Sequence, residues 1–263
     1  MTNILKMNLF RFKRSRVAYV LAAVAVFFCM LVQTITFLVN RSMPQLPVTG
    51  MGGETLDWGL TVKTDILNVT MGSIGLIIVP AVMVLFALLF LNGDLTNGYA
   101  KNLVGYTGNK RALATANILI PAIYSAGVLI LCVVVSIGYG CILFQNVEFK
   151  NVGHFLLTVL IMYMEIMGYI MMLVALADLS GRHVLVMILG LVYVLYNNLF
   201  YQLINLIVDT DFRIEKYTLL GGMTSLRADS EPKWYFISAA IALAVFIGFF
   251  ALDIVGLKKR ELK

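Results

Sequence analysis

One acid stands alone in the middle of an apolar run: Glu165, in "IMYMEIMGYIMM". An ionisable group at the depth of a bilayer centre is expensive and marks a candidate functional site. Two roles fit it. As a substrate or proton-coupling group it needs relay partners, yet Asp178 and Asp253 stand near the ends of their apolar runs. As a structural group it would hydrogen-bond a neighbour such as a tyrosine, with the acid in its neutral form. A second candidate is a polar stripe of Tyr193, Asn197, Tyr201 and Asn205, spaced by four residues, with Asn198 and Gln202 beside it. Such groups must face protein or water rather than lipid. The stripe is thus either a helix–helix contact or, with Glu165, the wall of a substrate path.

Catalytic constellations are missing. The two histidines, His154 and His183, belong to no H-E-x-x-H pair, so a membrane metalloprotease has no ligands here. No G-x-S-x-G nucleophile elbow occurs. "GYTGNKR" (Gly105 to Arg111) puts glycines ahead of Lys110, but the lysine is displaced by one position and Arg111 replaces the hydroxyl residue of a phosphate loop. Cys29, Cys132 and Cys141 lie within or at the edges of apolar runs, an odd set with neither disulfide framework nor zinc spacing. They read as small packing residues. We expect no catalytic residue, no metal site and no cofactor bound by this chain.

The elements that position these side chains follow from composition. Of 263 residues, 60% are hydrophobic and 13% charged, whereas soluble domains carry roughly 25% charged residues. Lipid must be the solvent. Six apolar runs can cross a bilayer, at about 17–39, 71–92, 113–144, 154–177, 184–208 and 234–256. The first would be about 35 Å long as a helix, enough to span with some tilt. The third is over-long and extends beyond the bilayer at one end. The expected fold is an all-α membrane protein forming a single transmembrane domain over 1–263, with no soluble domain.

The net charge of +6 sets topology rather than binding nucleic acid, because the basic residues sit at the ends of apolar runs. With the N-terminus inside, the inner segments hold Lys6, Arg11, Lys13, Arg14, Arg16, Lys101, Lys110, Arg111, Arg182, Lys258, Lys259, Arg260 and Lys263. The outer ones hold Arg41, Lys63, Lys150, Arg213, Lys216, Arg227 and Lys233, mixed with Asp and Glu. Both termini are therefore expected in the cytoplasm. The basic start followed by a run too long for a signal h-region reads as a retained first span.

Within residues 1–16, Leu5, Leu9 and Phe12 share a helical face while Lys6, Arg11, Lys13 and Arg14 occupy the rest, with Phe10 off the pattern. That suits an interfacial helix on the inner leaflet, apolar side among acyl chains. Two outer segments are long: 40–69, rich in Pro and Gly, and 209–233, where "YTLLGGMTSL" is apolar enough to dip back into the membrane. The fourth run is dense in methionine (Met162, Met164, Met167, Met171, Met172). Methionine adapts to varied apolar partners, and we read these side chains as lipid-facing.

Between the second and third runs stands "NGDLTNGYAKNLVGYTGNKR". Asp94 or Thr96 can cap a short helix beginning near Asn97. Tyr99, Leu103 and Tyr106 then share a face, and Gly105 and Gly108 end it. A simple loop has no use for such an amphipathic helix fused to two spans. The stretch "GDLTNGYAKNLVGYTGNKRALATAN" resembles the first inner segment of ABC-2 type transporter permeases, particularly small ones from Gram-positive bacteria. Asp94, the Asn97–Gly98 pair, the Lys101–Asn102–Leu103 run and Arg111 match that family's pattern as they stand. The resemblance extends over essentially the whole chain, through the basic start, the apolar outer segment between runs five and six, and the ending "LDIVGLKKRELK", where Glu261 stands in place of the commoner Asp.

The resemblance implies the transmembrane permease subunit of an ATP-driven exporter in the bacterial cytoplasmic membrane. Asp94, Asn97, Gly98, Tyr99, Lys101, Asn102, Leu103 and Tyr106 would form the coupling helix that docks on a separate ATPase. Two ATPase copies, which bind the ATP and magnesium, and a second permease copy, identical or different, would complete the unit among membrane lipids. Family members export drugs, antimicrobial or toxin peptides, and lipid-linked glycans; the methionine-rich run and the lack of charged pore residues suit amphipathic or hydrophobic peptides. The alternatives are a proton-coupled secondary carrier using Glu165 and a non-transporting immunity membrane protein.

Overall fold

The computed structural model describes residues 2–42, 64–75, 78–96, 110–144, 147–181, 183–207, 214–226 and 230–259. Almost all of these are helical. Helix α1 (Thr2–Arg14) meets α2 (Arg16–Ser42) at Ser15, whose Oγ accepts from the Ala18 N–H at 3.4 Å. A serine oxygen on a first-turn amide satisfies a donor that has no partner within the helix, and so starts α2. The Tyr19 hydroxyl donates back to the Lys13 carbonyl at 3.1 Å and holds the corner.

The apolar face of α1 meets protein as well as whatever surrounds the bundle. Phe12 stands edge-on to Phe86 (centroids 5.8 Å apart) and to Tyr124 (6.1 Å). Arg11 lies over the Phe90 ring at 5.1 Å. Phe10, the residue off the sequence pattern, is exposed with the Arg14 guanidinium 4.9 Å from its ring. Aromatic burial against Phe86, Phe90 and Tyr124 thus claims part of the side that the sequence assigned to acyl chains.

A two-residue parallel ladder ties the opposite end. Strand β1 (Thr64–Asp65) pairs with β2 (Val147–Glu148), Thr64 facing Val147 and Asp65 facing Glu148. Asp65 then caps α3 (Ile66–Ile74), accepting from the Leu67 N–H at 3.2 Å and from Asn68 Nδ2 at 2.9 Å. Helix α4 (Ile78–Thr96) follows, bent from α3 by 43°. The expected span at 71–92 is therefore a bent pair starting earlier in the chain. The "MGSIG" run supplies the reason, since small residues and a C-capping Gly75 weaken the helix there.

Helix α5 (Lys110–Leu143) is followed by α6 (Val152–Ser180), α7 (His183–Ile207), a 3-10 turn (Ile214–Tyr217), α8 (Leu219–Ser225) and α9 (Pro232–Lys259). Four stretches are long and apolar enough to cross a membrane: Arg16–Arg41, Ile118–Leu143, Val152–Ser180 and Pro232–Ile254. The α3–α4 pair adds a fifth if it counts as one span, and α7 contains the shorter apolar stretch Val184–Asn197.

Helix α6 is the centre of the bundle, packed along its length on α9 and flanked by α3, α4, α5, α7 and α8. Its methionines Met162, Met167 and Met171 are buried in the core, which corrects the lipid-facing reading. Unbranched side chains fill the irregular gaps that several crossing helices leave around a central one. The outer face of α7 is apolar instead, with Leu185, Ile188, Leu189, Val192 and Leu199 all exposed. A helix that is apolar on the side away from its neighbours is built for lipid or for another apolar chain.

Candidate functional site

Glu165 lies midway along α6 and is 1% exposed. Its hydrogen-bond partner is Ser238 of α9, not the tyrosine expected from sequence. Its Oε2 makes no hydrogen bond to the protein. Burying a polar oxygen without a partner costs about 1–3 kcal/mol.

Helix α8 covers the acid, and glycine makes the approach possible. Thr218 starts α8 by accepting from the Gly221 N–H at 3.2 Å. Gly222 then lies directly against the carboxyl group. A Cβ at this position would overlap Glu165 Oε1 and stand 2.9 Å from its Cδ and 3.1 Å from Ser238 Oγ. One turn along α6, a Cβ on Gly168 would stand 3.1 Å from the Ala242 carbonyl of α9 and 3.5 Å from the Leu219 side chain of α8. Small residues on α6 and α8 therefore let three helices close on one carboxyl. The apolar "YTLLGGMTSL" segment packs on the bundle, with Leu220 and Leu226 buried.

Among the described residues, no cation comes with it. Helices α6 and α8 contain no Lys or Arg, and α9 carries none between Lys233 and Lys258. Lys216 and Lys233 stand at the rim over the Trp234 ring, at 4.3 and 5.4 Å. Lys233 also pairs with exposed Glu231, and its hydrogen bond and charge hold that carboxyl below its ordinary value. His154 stacks on Tyr235 with ring centroids 5.9 Å apart, near the same rim.

Three residues of the polar stripe come together on the side of α7 that meets α6. The Tyr193 and Tyr201 hydroxyls are 2.9 Å apart, and Tyr193 stacks on Tyr169 of α6 at 6.0 Å. Tyr169 donates to the Gly190 carbonyl at 2.8 Å. Asn197 is buried with its Oδ1 unpartnered. The helices approach closely at Gly190, where a Cβ would stand 2.7 Å from both Leu173 methyl carbons. Gln202 is exposed, and the side chains of Asn198 and Asn205 lie outside the described residues. Tyr169 is one turn from Glu165, so both candidate sets share α6 while facing different neighbours.

The pairing of Asp178 with Asp253 and the burial of Gln33 were not part of the sequence reading. Asp253 of α9, 2% exposed, is hydrogen-bonded to Asp178 of α6. Two carboxyl groups can share such a bond only if one of them carries a proton. In the first half of the bundle, Gln33 of α2 is fully buried with both amide atoms unpartnered, near Gly140 of α5. Around it Thr34 bonds Tyr139 at 2.9 Å and Ser73 lies 3.4 Å from Ser136. A lone glutamine inside the apolar "MLVQTITF" was the available signal.

Of the coupling-segment residues, Asp94 stands in the last turn of α4. Asn97, Gly98, Tyr99, Lys101, Asn102, Leu103 and Tyr106 lie outside the described residues. Helix α5 resumes at Lys110, while its candidate span begins only at Ile118. Its first eight residues, about 12 Å of helix, lead from the segment to the apolar stretch. No protein-family model matches the chain, and no curated protein matches it.

Proposed function

We propose that this chain is the transmembrane permease subunit of an ATP-driven exporter of the ABC-2 type. It spans the bacterial cytoplasmic membrane six times, with α3–α4 and α7 as the second and fifth spans and both termini inside. One observation carries the reading: the acidic, Asn-Gly and Lys-Asn-Leu pattern from Asp94 to Arg111 occupies the connection between an apolar helix ending at Thr96 and a long helix starting at Lys110. In this reading the segment transmits a push from the ATPase into the two helices that flank it. Tyr99, Leu103 and Tyr106 form the docking face for the ATPase. The cargo is an amphipathic or hydrophobic peptide or drug, and a second permease copy sits against the apolar outer surface of the bundle.

The test is purification of the tagged chain from its native membrane, followed by ATPase assay of the eluate. A co-eluting nucleotide-binding subunit that is lost in Tyr99→Ala/Leu103→Ala, while thermal unfolding of the permease is unchanged, supports the assignment. Transport that persists in a preparation free of any ATPase overturns it and turns attention to Glu165 as the group of a proton-coupled carrier.

A further inference from the structure

We infer that Glu165 is a proton-binding site whose occupancy decides whether α8 is seated: α8 closes over the neutral acid and leaves the ionised one. The inference stands apart from the ATPase reading, since it concerns residues outside the segment from Asp94 to Arg111 and needs no partner.

Four observations lead to it. The carboxyl is enclosed by α6, α8 and α9, and only one of its oxygens is accounted for by Ser238. The second oxygen faces no donor, which suits a carboxylic acid far better than a carboxylate: an ionised group buried without a cation costs many times more than a neutral one. The other charged or titratable side chains described on the enclosing elements have their contacts elsewhere. Lys216, Lys233 and Glu231 form the rim set around Trp234, and His154 stacks on Tyr235. Tyr163 donates to the Ala122 carbonyl at 3.3 Å and Tyr169 to that of Gly190, while Asp178 and Asp253 bond each other at the far end of the seam. Finally, a multivalent cation has no ligand set, because among the described residues no three His, Cys, Asp or Glu side chains converge. A proton is the ligand that needs neither space nor further ligands.

What α8 contributes is removable cover. It is a seven-residue helix, flanked by a 3-10 turn, and isolated helices this short have little stability of their own. Its place is held by burial of Leu220 and Leu226 and by contact of Gly222 with the acid. Lifting it admits water to the carboxyl, and water stabilises the ionised form. The seated state therefore binds one more proton than the lifted state. By linkage, the lifting equilibrium rises by about tenfold per pH unit between the titrations of the two states.

The experiment uses the full chain in lipid nanodiscs, where both faces are accessible. Cys141→Ser removes the exposed native thiol, since Cys29 and Cys132 are buried. Leu220→Cys then places a thiol on the covered face of α8, and its rate of reaction with N-ethylmaleimide is measured from pH 6 to pH 9 with Glu165 or with Glu165→Gln. Dividing the two rates cancels the thiol's own ionisation. The ratio is expected to stand near one at low pH and to climb by about tenfold per pH unit once the acid titrates. A ratio that stays flat overturns the proposal. Should Leu220→Cys react fast at every pH in both backgrounds, Leu226→Cys replaces it and the same criterion applies.

Discussion

Replacing Gly222 by alanine separates packing against the acid from ordinary helix chemistry, because the two push in opposite directions. In an unconstrained helix the change stabilises by about 1 kcal/mol, since alanine loses less backbone entropy. Here the new methyl overlaps Glu165 Oε1, stands 2.9 Å from Cδ, and crowds Ser238 Oγ at 3.1 Å. The serine hydroxyl can rotate away. The carboxyl is held between α6 and α9 and cannot, so overpacking of about 1–3 kcal/mol follows. Gly222→Ala alone should therefore destabilise by up to about 2 kcal/mol. In a Glu165→Ala background the obstacle is gone, and the same substitution should stabilise by up to about 1 kcal/mol. The double-mutant cycle, measured by reversible unfolding in micelles, should return a coupling of about 1–3 kcal/mol with a change of sign. An equal effect of Gly222→Ala in both backgrounds, within about 0.5 kcal/mol, would refute the placement of α8 on the acid.

Three further outcomes test the packing around α6. Tyr169→Phe removes a 2.8 Å bond to the Gly190 carbonyl and should lower unfolding stability by about 0.5–1.5 kcal/mol, toward the lower end because that carbonyl keeps its helical amide partner. Gly190→Ala brings a methyl within 2.7 Å of both Leu173 branches and should cost about 1–3 kcal/mol; Leu173 is flexible enough to yield, so a loss beyond that range would mean that the helix crossing itself is tighter than the structure places it. Intact-mass analysis after brief N-ethylmaleimide treatment should show a single adduct, at Cys141, with Cys29 and Cys132 reacting only after denaturation. Early modification of either buried thiol would contradict the α2–α5 contact around them.

The helical character of the chain and the positions of its apolar runs were legible because lipid solvation leaves long uninterrupted apolar stretches. The bend between α3 and α4 was less so: "MGSIG" breaks a helix only in proportion to what the neighbours ask of it, and Asp65 fixes the start through a cap two residues away. Glu165 stood out as the lone acid in its run, but Ser238 and Gly222 did not. They lie 73 and 57 positions further along the chain, and neither residue type signals an acid by itself. Methionine was misread for a similar reason. A run without periodicity does not say which side faces lipid, and only the packing of neighbouring helices around α6 turns Met162, Met167 and Met171 inward.

Among the described residues, the buried acids of this chain share one seam. Along α6 and α9 the order is Glu165 with Ser238, then Gly168 against Ala242, then Asp178 with Asp253. A seam of two acid sites separated by a glycine contact is a costly way to pack two helices, since leucine or alanine would serve without unpartnered oxygens. Both Glu165 Oε2 and Asp253 Oδ1 lack a partner, as do amide atoms of Gln33 and Asn197 elsewhere in the bundle. An acid differs from those amides in that it can ionise when water reaches it, so the open oxygen at Glu165 suits a group that changes state. Because α8 touches the first of these acids and nothing comparable covers the second among the described residues, the mobile element of the pair is the one over Glu165. If that acid only held the helices together, Glu165→Gln with Ser238 intact would preserve the hydrogen bond and α8 accessibility at every pH. The proton-linked reading requires instead that the glutamine variant stay closed where the native acid opens.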